Sequence, residues 1–147
     1  MAAPTYQYYN QIFKKEQLPL CYCNLDLLNE NISQIAKRAE GKNKTVRVAT
    51  KSVRNTYILQ HILQSNPIYQ GLMCYTGNEA LWLIEKGFDD LLLGYPIANK
   101  NEIREICKQT KNGKKIILMV TQHGYSPMQH ALVVNKHLLN SQQKQVV

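Results

Sequence analysis

Val46-Arg47-Val48-Ala49-Thr50-Lys51-Ser52 sets a lysine at the end of an apolar, alternating segment. In period-two geometry Val46, Val48 and Thr50 share one face, while Arg47, Ala49 and Lys51 share the other. If the valine face packs on helices, Lys51 points away from them, towards the space that the strand ends enclose. Lysines also close strands simply because the chain is returning to solvent. The flanking pattern has to decide between these two meanings.

Upstream, Leu28, Ile32, Ile35, Ala36 and Ala39 recur at helical spacing, which predicts an amphipathic helix over about 26–40 that Gly41 can end. Before it, residues 18–25 are expected as a strand with Pro19 at its beginning or edge, and residues 1–17 as a lead-in arm or short helix. Downstream, Ile58, Leu59, Ile62 and Leu63 form the face of a second helix that Pro67 closes. A strand over 71–75 follows, and Thr76-Gly77-Asn78-Glu79 has the spacing of a capping box. The helix it opens carries Ala80, Leu81, Leu83 and Ile84 and stops at Gly87.

The run Leu91-Leu92-Leu93 inside a strand over 90–95 is the pattern of a parallel strand buried on both faces. Asn99-Lys100-Asn101-Glu102 starts another helix with Ile103, Ile106 and Cys107 on its face, and Gly113 turns the chain into a strand over 116–120. Ser126-Pro127-Met128-Gln129 predicts a last helix to about residue 139, followed by a polar tail over 140–147. Strand and helix alternate with short connections, so the fold class is α/β, with parallel strands and right-handed crossovers. Residues 18–139 form one domain between the lead-in and the tail.

Ligands of such sheets collect at the carboxyl ends of the strands. Those ends are Lys51, Cys74 with Tyr75, Gly94 with Tyr95, and Val120 with Thr121. Lys51 is the only ionisable nitrogen among them, which favours the functional meaning of the opening segment.

At 147 residues the chain can bury a core but is too short for a complete (β/α)8 barrel of about 250 residues. The formal charge of +8 favours anionic partners in general, including phosphate cofactors. Its lysines and arginines are scattered in short clusters, and no recognition-helix signature, aromatic RNA-binding strand or GXXG loop accompanies them, so nucleic acid is not the expected partner. The first ten residues lack the basic and apolar parts of a secretion signal, and no apolar run reaches membrane-spanning length, so the expected location is the cytoplasm and no membrane partner is expected. Cys21, Cys23, Cys74 and Cys107 suit reduced thiols there. Cys21 and Cys23 would share a strand face, but no finger-like spacing follows them, and His61, His123, His130 and His137 form no metal-ligand motif.

Three segments together resemble the start of the alanine racemase-like, fold-type III pyridoxal phosphate enzymes. They are Leu25-Asp26-Leu27-Leu28-Asn29-Glu30-Asn31-Ile32, Ala49-Thr50-Lys51-Ser52, and Gly87-Phe88-Asp89-Asp90-Leu91-Leu92-Leu93-Gly94-Tyr95-Pro96. The nearest branch is the D-threonine aldolase and D-serine dehydratase-like amino acid aldolases or racemases, and the likeness spans about residues 18–120. The resemblance implies about half of a TIM-type barrel, with strands ending near Lys51, Tyr75, Gly94 and Val120 as the first four of eight. It implies that Lys51 is the Schiff-base lysine for pyridoxal 5'-phosphate and that Tyr75 and Tyr95 line the cofactor pocket or orient an amino acid substrate. An equal alternative for the two tyrosines is rim packing.

Asn24 departs from the family, where many relatives carry an acid. The family's phosphate loops come from later barrel strands, and its opposite-face catalytic groups or metal ligands come from a C-terminal β-domain. The chain therefore reads as the first half of a racemase, aldolase or dehydratase, weakly active or inactive alone. The alternative is a non-enzymatic half-barrel that serves as an oligomerisation or interaction module. Its unpaired strand edges and exposed inner surface predict self-association.

Overall fold

The computed structural model describes residues 4–119. Within them, nine elements follow one another: α1 (Tyr6–Ile12), α2 (Leu25–Ala39), β1 (Val46–Ala49), α3 (Thr56–Ser65), β2 (Tyr69–Cys74), α4 (Gly77–Glu85), β3 (Leu91–Leu93), α5 (Lys100–Lys111) and β4 (Ile116–Leu118), with a single 3-10 turn over Thr50–Ser52 after β1. The strands form one parallel sheet in the order β1-β2-β3-β4. The chain is thus an α/β fold in which four parallel strands alternate with helices, as an open sheet.

Local chemistry starts each helix. The Asn24 side-chain oxygen accepts from the Leu27 N–H at 3.1 Å, and Asp26 with Lys37 and Arg38 gives α2 acid at its positive end and base at its negative end. Asn55 caps α3 through the Ile58 N–H, and Asn99 caps α5 through the Asn101 and Glu102 N–H groups. Thr76 caps α4 through the Glu79 N–H. The Glu79 carboxylate reaches back one residue beyond the cap, accepting from the Tyr75 N–H at 2.7 Å.

Side chains of the sheet divide cleanly into two faces. Leu72, Cys74, Leu91, Leu93 and Ile116 enter the main core with Leu59, Ala80, Leu83, Ile103 and Ile106 of the helices. A second cluster holds α2 against α3 and β2 through Ile32, Ala36, Ile62 and Tyr69, with Val46 and Val48 packed on it. Consecutive parallel neighbours joined by right-handed crossovers carry their helices on one side. The valine face of β1 does pack on helices, with Val46 and Val48 against the core clusters.

The other face bears a different row. Ala49 pairs with Met73, Met73 with Leu92, and Leu92 with Ile117, so one ladder of apolar side chains crosses all four strands. These four are only partly buried and belong to neither core cluster.

Two expectations need correction. Residues 18–25 are not a strand: Leu18–Pro19 is a cis peptide within an irregular segment, Asn24 caps α2, and Leu25 is its first residue. Leu18 is 71% exposed, and Tyr22 and Leu25 are also exposed, so the segment has no buried face to hold it in a sheet. Tyr22 instead packs on Tyr9 and Phe13, tying the segment to the α1 region. Cys21 and Cys23, expected on one strand face, are both exposed in this irregular stretch.

The second correction concerns the opening segment. The strand stops at Ala49, two residues before Lys51. Thr50 turns inward, is 1% exposed and donates its hydroxyl to the Met73 carbonyl at 3.1 Å, while the Val53 N–H closes the 3-10 turn on the Thr50 carbonyl. Lys51 therefore sits on a turn rather than on the strand. The helix expected over 126–139, the strand end at Val120 and Thr121, and the polar tail over 140–147 lie outside the described residues.

Candidate functional site

Three strand-to-helix turns meet at the carboxyl end of the sheet. After β1 come Thr50 and Lys51, after β2 comes Tyr75, and after β3 come Gly94 and Tyr95. Thr50 anchors the first turn to β2 through its hydrogen bond to Met73. The Gly94 N–H donates to the Cys74 carbonyl at 3.0 Å and fixes the third turn to the second. A Cβ at Gly94 would lie 3.3 Å from Met73 Cγ and 3.4 Å from its sulfur, so glycine suits this close approach.

Of the sequence-predicted residues, Tyr75 and Tyr95 are brought together. Their rings meet edge to face, with centroids 4.9 Å apart and planes at 67°. Both remain about half exposed, at 51% and 46%, so the pair forms an aromatic wall open to solvent. Lys51 is exposed on the turn next to this end and makes no ion pair with the described residues.

Cys74 lies at the same strand end but is buried within the core. Burial, reinforced by the nearby Glu79 carboxylate and only partly opposed by Arg47, pushes its thiol up to about 12. It is a packing group and not a nucleophile. His61 likewise has a structural partner, with Nε2 2.6 Å from Asn29 Oδ1 between α3 and α2. Among the described residues no three His, Cys, Asp or Glu side chains gather as metal ligands, and no helix is long and apolar enough to cross a membrane.

A groove of about 230 Å3 opens beside the turn, between the starts of α3 and α4, and is lined by Thr50, Arg54, Asn55, Glu79 and Trp82 among others. Lys51, Tyr75 and Tyr95 do not line it. Sequence reasoning passed over Arg54 and Trp82, since neither sits at a strand end or in a recognisable motif.

The opposite end of the sheet carries its charged cluster. Arg47 donates to both the backbone carbonyl and the carboxylate of Asp90, and Lys115 donates to the other carboxylate oxygen at 2.8 Å. Burial raises the Asp90 carboxyl, but hydrogen bonds and charge from Lys115 and Arg47 outweigh it and hold the group below the usual carboxylate range. This cluster lies at the amino ends of the strands, away from the carboxyl ends where ligands of parallel α/β sheets collect.

No family model, no curated protein and no solved structure matches the chain.

Proposed function

We propose that the chain is the N-terminal part of a fold-type III pyridoxal phosphate-dependent amino acid racemase, aldolase or dehydratase, with Lys51 as its cofactor lysine. The observation that carries this reading is the exposed Lys51, without an ion pair among the described residues, on the turn after β1 at the same end of the sheet as the Tyr75–Tyr95 pair that follows β2 and β3. The consecutive parallel order supports a partial barrel, because strands of such a barrel pair in sequence order and open their ligand site at this end.

The residues present fit part of what the cofactor needs. Lys51 offers a primary amine that the 3-10 turn holds out of the core, and its free-base form is the nucleophile for a carbonyl. Tyr75 and Tyr95 offer an apolar, aromatic surface with hydroxyl groups for orientation. Pyridoxal phosphate, when bound, supplies an electron sink for the carbanion formed at an amino acid Cα. Once displaced by substrate, the Lys51 amine would serve as a general base at that carbon. The Gly94 N–H is already committed to Cys74, so the cofactor phosphate has to find its donors elsewhere.

Addition of pyridoxal phosphate followed by borohydride reduction and peptide mapping tests the assignment. Label concentrated on Lys51, with the visible absorbance band lost in Lys51→Ala, is the expected result. Label spread over the surface lysines and unchanged by the substitution overturns it.

A second reading, a non-enzymatic half-barrel that acts as an interaction module, is favoured by one separate observation. The apolar ladder Ala49-Met73-Leu92-Ile117 stands on the sheet face opposite α2, α3, α4 and α5 and is only partly buried among the described residues.

A further inference from the structure

We infer that Cys21 and Cys23 form a two-sulfur site for one soft monovalent cation of the Cu(I) type, each chain holding a single ion between its own two thiolates. The site goes beyond the pyridoxal phosphate reading and uses none of Lys51, Tyr75 and Tyr95.

Three observations carry it. First, both thiols are free and exposed, in the segment between α1 and α2. Second, residues 20–24 run without a turn or bend, and Asn24 at their end has extended backbone angles, so the side chains alternate and those of Cys21 and Cys23 leave the chain on one side. Third, Tyr22 between them is turned the other way and held there. Its ring centroid lies 5.1 Å from that of Tyr9 and 4.8 Å from that of Phe13, and those two rings stack on each other with planes 4° apart. One residue after Cys23, Asn24 is fixed by its cap on the Leu27 N–H, at the start of a helix that buries Ile32 and Ala36. The two thiols are thus set between anchored neighbours, with their open side to solvent.

Spacing selects the kind of bridge. Two residues along an extended chain are about 6.6 Å apart at Cα, with their Cα–Cβ bonds nearly parallel. A disulfide needs Cβ atoms about 3.8 Å apart, which this geometry resists. Two sulfurs joined through a metal stand about 4.6 Å apart, twice a metal–thiolate bond of about 2.3 Å, and rotation about the two χ1 bonds meets that. Soft thiolates select ions such as Cu(I). Structural zinc asks for four ligands, and among the described residues no three His, Cys, Asp or Glu side chains gather. A monovalent ion of filled d shell is satisfied by two.

The chemistry balances without a redox partner. Each thiol gives its proton to solvent as its sulfur bonds the ion, and the copper stays Cu(I). The product carries one net negative charge, which suits a place just ahead of the positive end of α2.

The test uses the full chain under anaerobic conditions, with Cu(I) presented as its bicinchoninate complex. The chain is expected to withdraw one ion, to keep the association state it has without copper, and to protect Cys21 and Cys23 from prompt alkylation. X-ray absorption should show two sulfur neighbours and no nitrogen or oxygen. Cys21→Ser and Cys23→Ser should each lower the affinity more than about a hundredfold, and Tyr22→Ala, which keeps both thiols but releases the segment, about tenfold. Cys107→Ser should bind like the native chain, and circular dichroism checks that every variant is folded. Absent uptake overturns the inference, as does undiminished uptake by either Cys21→Ser or Cys23→Ser. Copper-linked pairs of chains, a third donor on the ion, or native affinity in Tyr22→Ala overturn it as well. Lysine labelling by pyridoxal phosphate in the copper-free chain reads the other proposal separately, so either can fail alone.

Discussion

Arg47 crosses the sheet over Gly71 to grip Asp90, with Nη1 donating to the Asp90 carbonyl at 2.7 Å and Nη2 to its carboxylate. Lys115 completes the cluster from the chain just before β4. The register explains how this is possible. Between Val46 and Val48 the pairing with β2 slips from Tyr69 to Leu72, so β2 carries one extra residue, and Gly71 in that bulge has φ +70°. The cluster links both edges of the sheet to its middle without using a side chain of β2.

Gly71→Ala should cost at least about 2 kcal/mol, because alanine combines left-handed strain with a new Cβ against the Asp90 carbonyl and the Arg47 guanidinium. Gly41 has nearly the same backbone, φ +71°, but a Cβ there would meet nothing within 4 Å, so Gly41→Ala should cost only about 1 kcal/mol. Urea unfolding of both variants measures the difference. Equal losses would mean that the Arg47–Asp90 contact gives way freely.

The low-lying carboxyl of Asp90 makes the cluster acid-sensitive. A group whose folded value is depressed stabilises the fold above its unfolded value, about 3.9, and loses that contribution as pH falls through the folded value. Asp90→Asn should therefore lower the melting temperature at pH 7, and its difference from the native chain should shrink as the pH falls below the unfolded value and through the folded one. A gap that stays constant across this range would show that the carboxylate charge is not what stabilises the cluster.

Adjacent leucines of β3 should respond differently to truncation. Leu91 is fully buried against α4 and α5 residues, so Leu91→Ala should cost about 3 kcal/mol. Leu92 lies on the sheet face opposite the core and is only partly buried, and Leu92→Ala should cost about 1 kcal/mol. Urea unfolding of the two variants measures the difference.

Thiol reactivity should divide the cysteines by burial. Cys21 and Cys23 are exposed and should react promptly with a disulfide reagent at pH 8, whereas Cys74, buried and pushed up to about 12, should react only on unfolding. Burial also raises Cys107, so its labelling should be slow. Stoichiometry over time checks this, and prompt reaction of a third thiol would show that the core opens readily.

Much of the architecture was legible from residue pattern alone. The valine face of β1 and the Thr76 and Asn99 helix starts each combine a local signal with the packing that the fold needs, so pattern and structure agree. The leucine run of β3 forms the expected parallel strand but not one buried on both faces, since Leu91 and Leu93 enter the core and Leu92 is only partly buried. The segment over 18–25 misled because a strand requires a neighbour and a face to bury, and neither is encoded locally. Its last residue but one, Asn24, carried the better signal as a helix cap.

At the candidate site, the sequence by itself determined that Lys51 closes an apolar β-type segment and that tyrosines stand at the next two strand ends. Only tertiary structure decided that Thr50 turns inward to the Met73 carbonyl, moving Lys51 onto a turn, and that Tyr75 and Tyr95 meet edge to face. The same holds for Arg47, Gly71 and Asp90, which come together only through the register of three strands. Periodicity reports which side of an element is apolar; pairing register decides which distant residues touch.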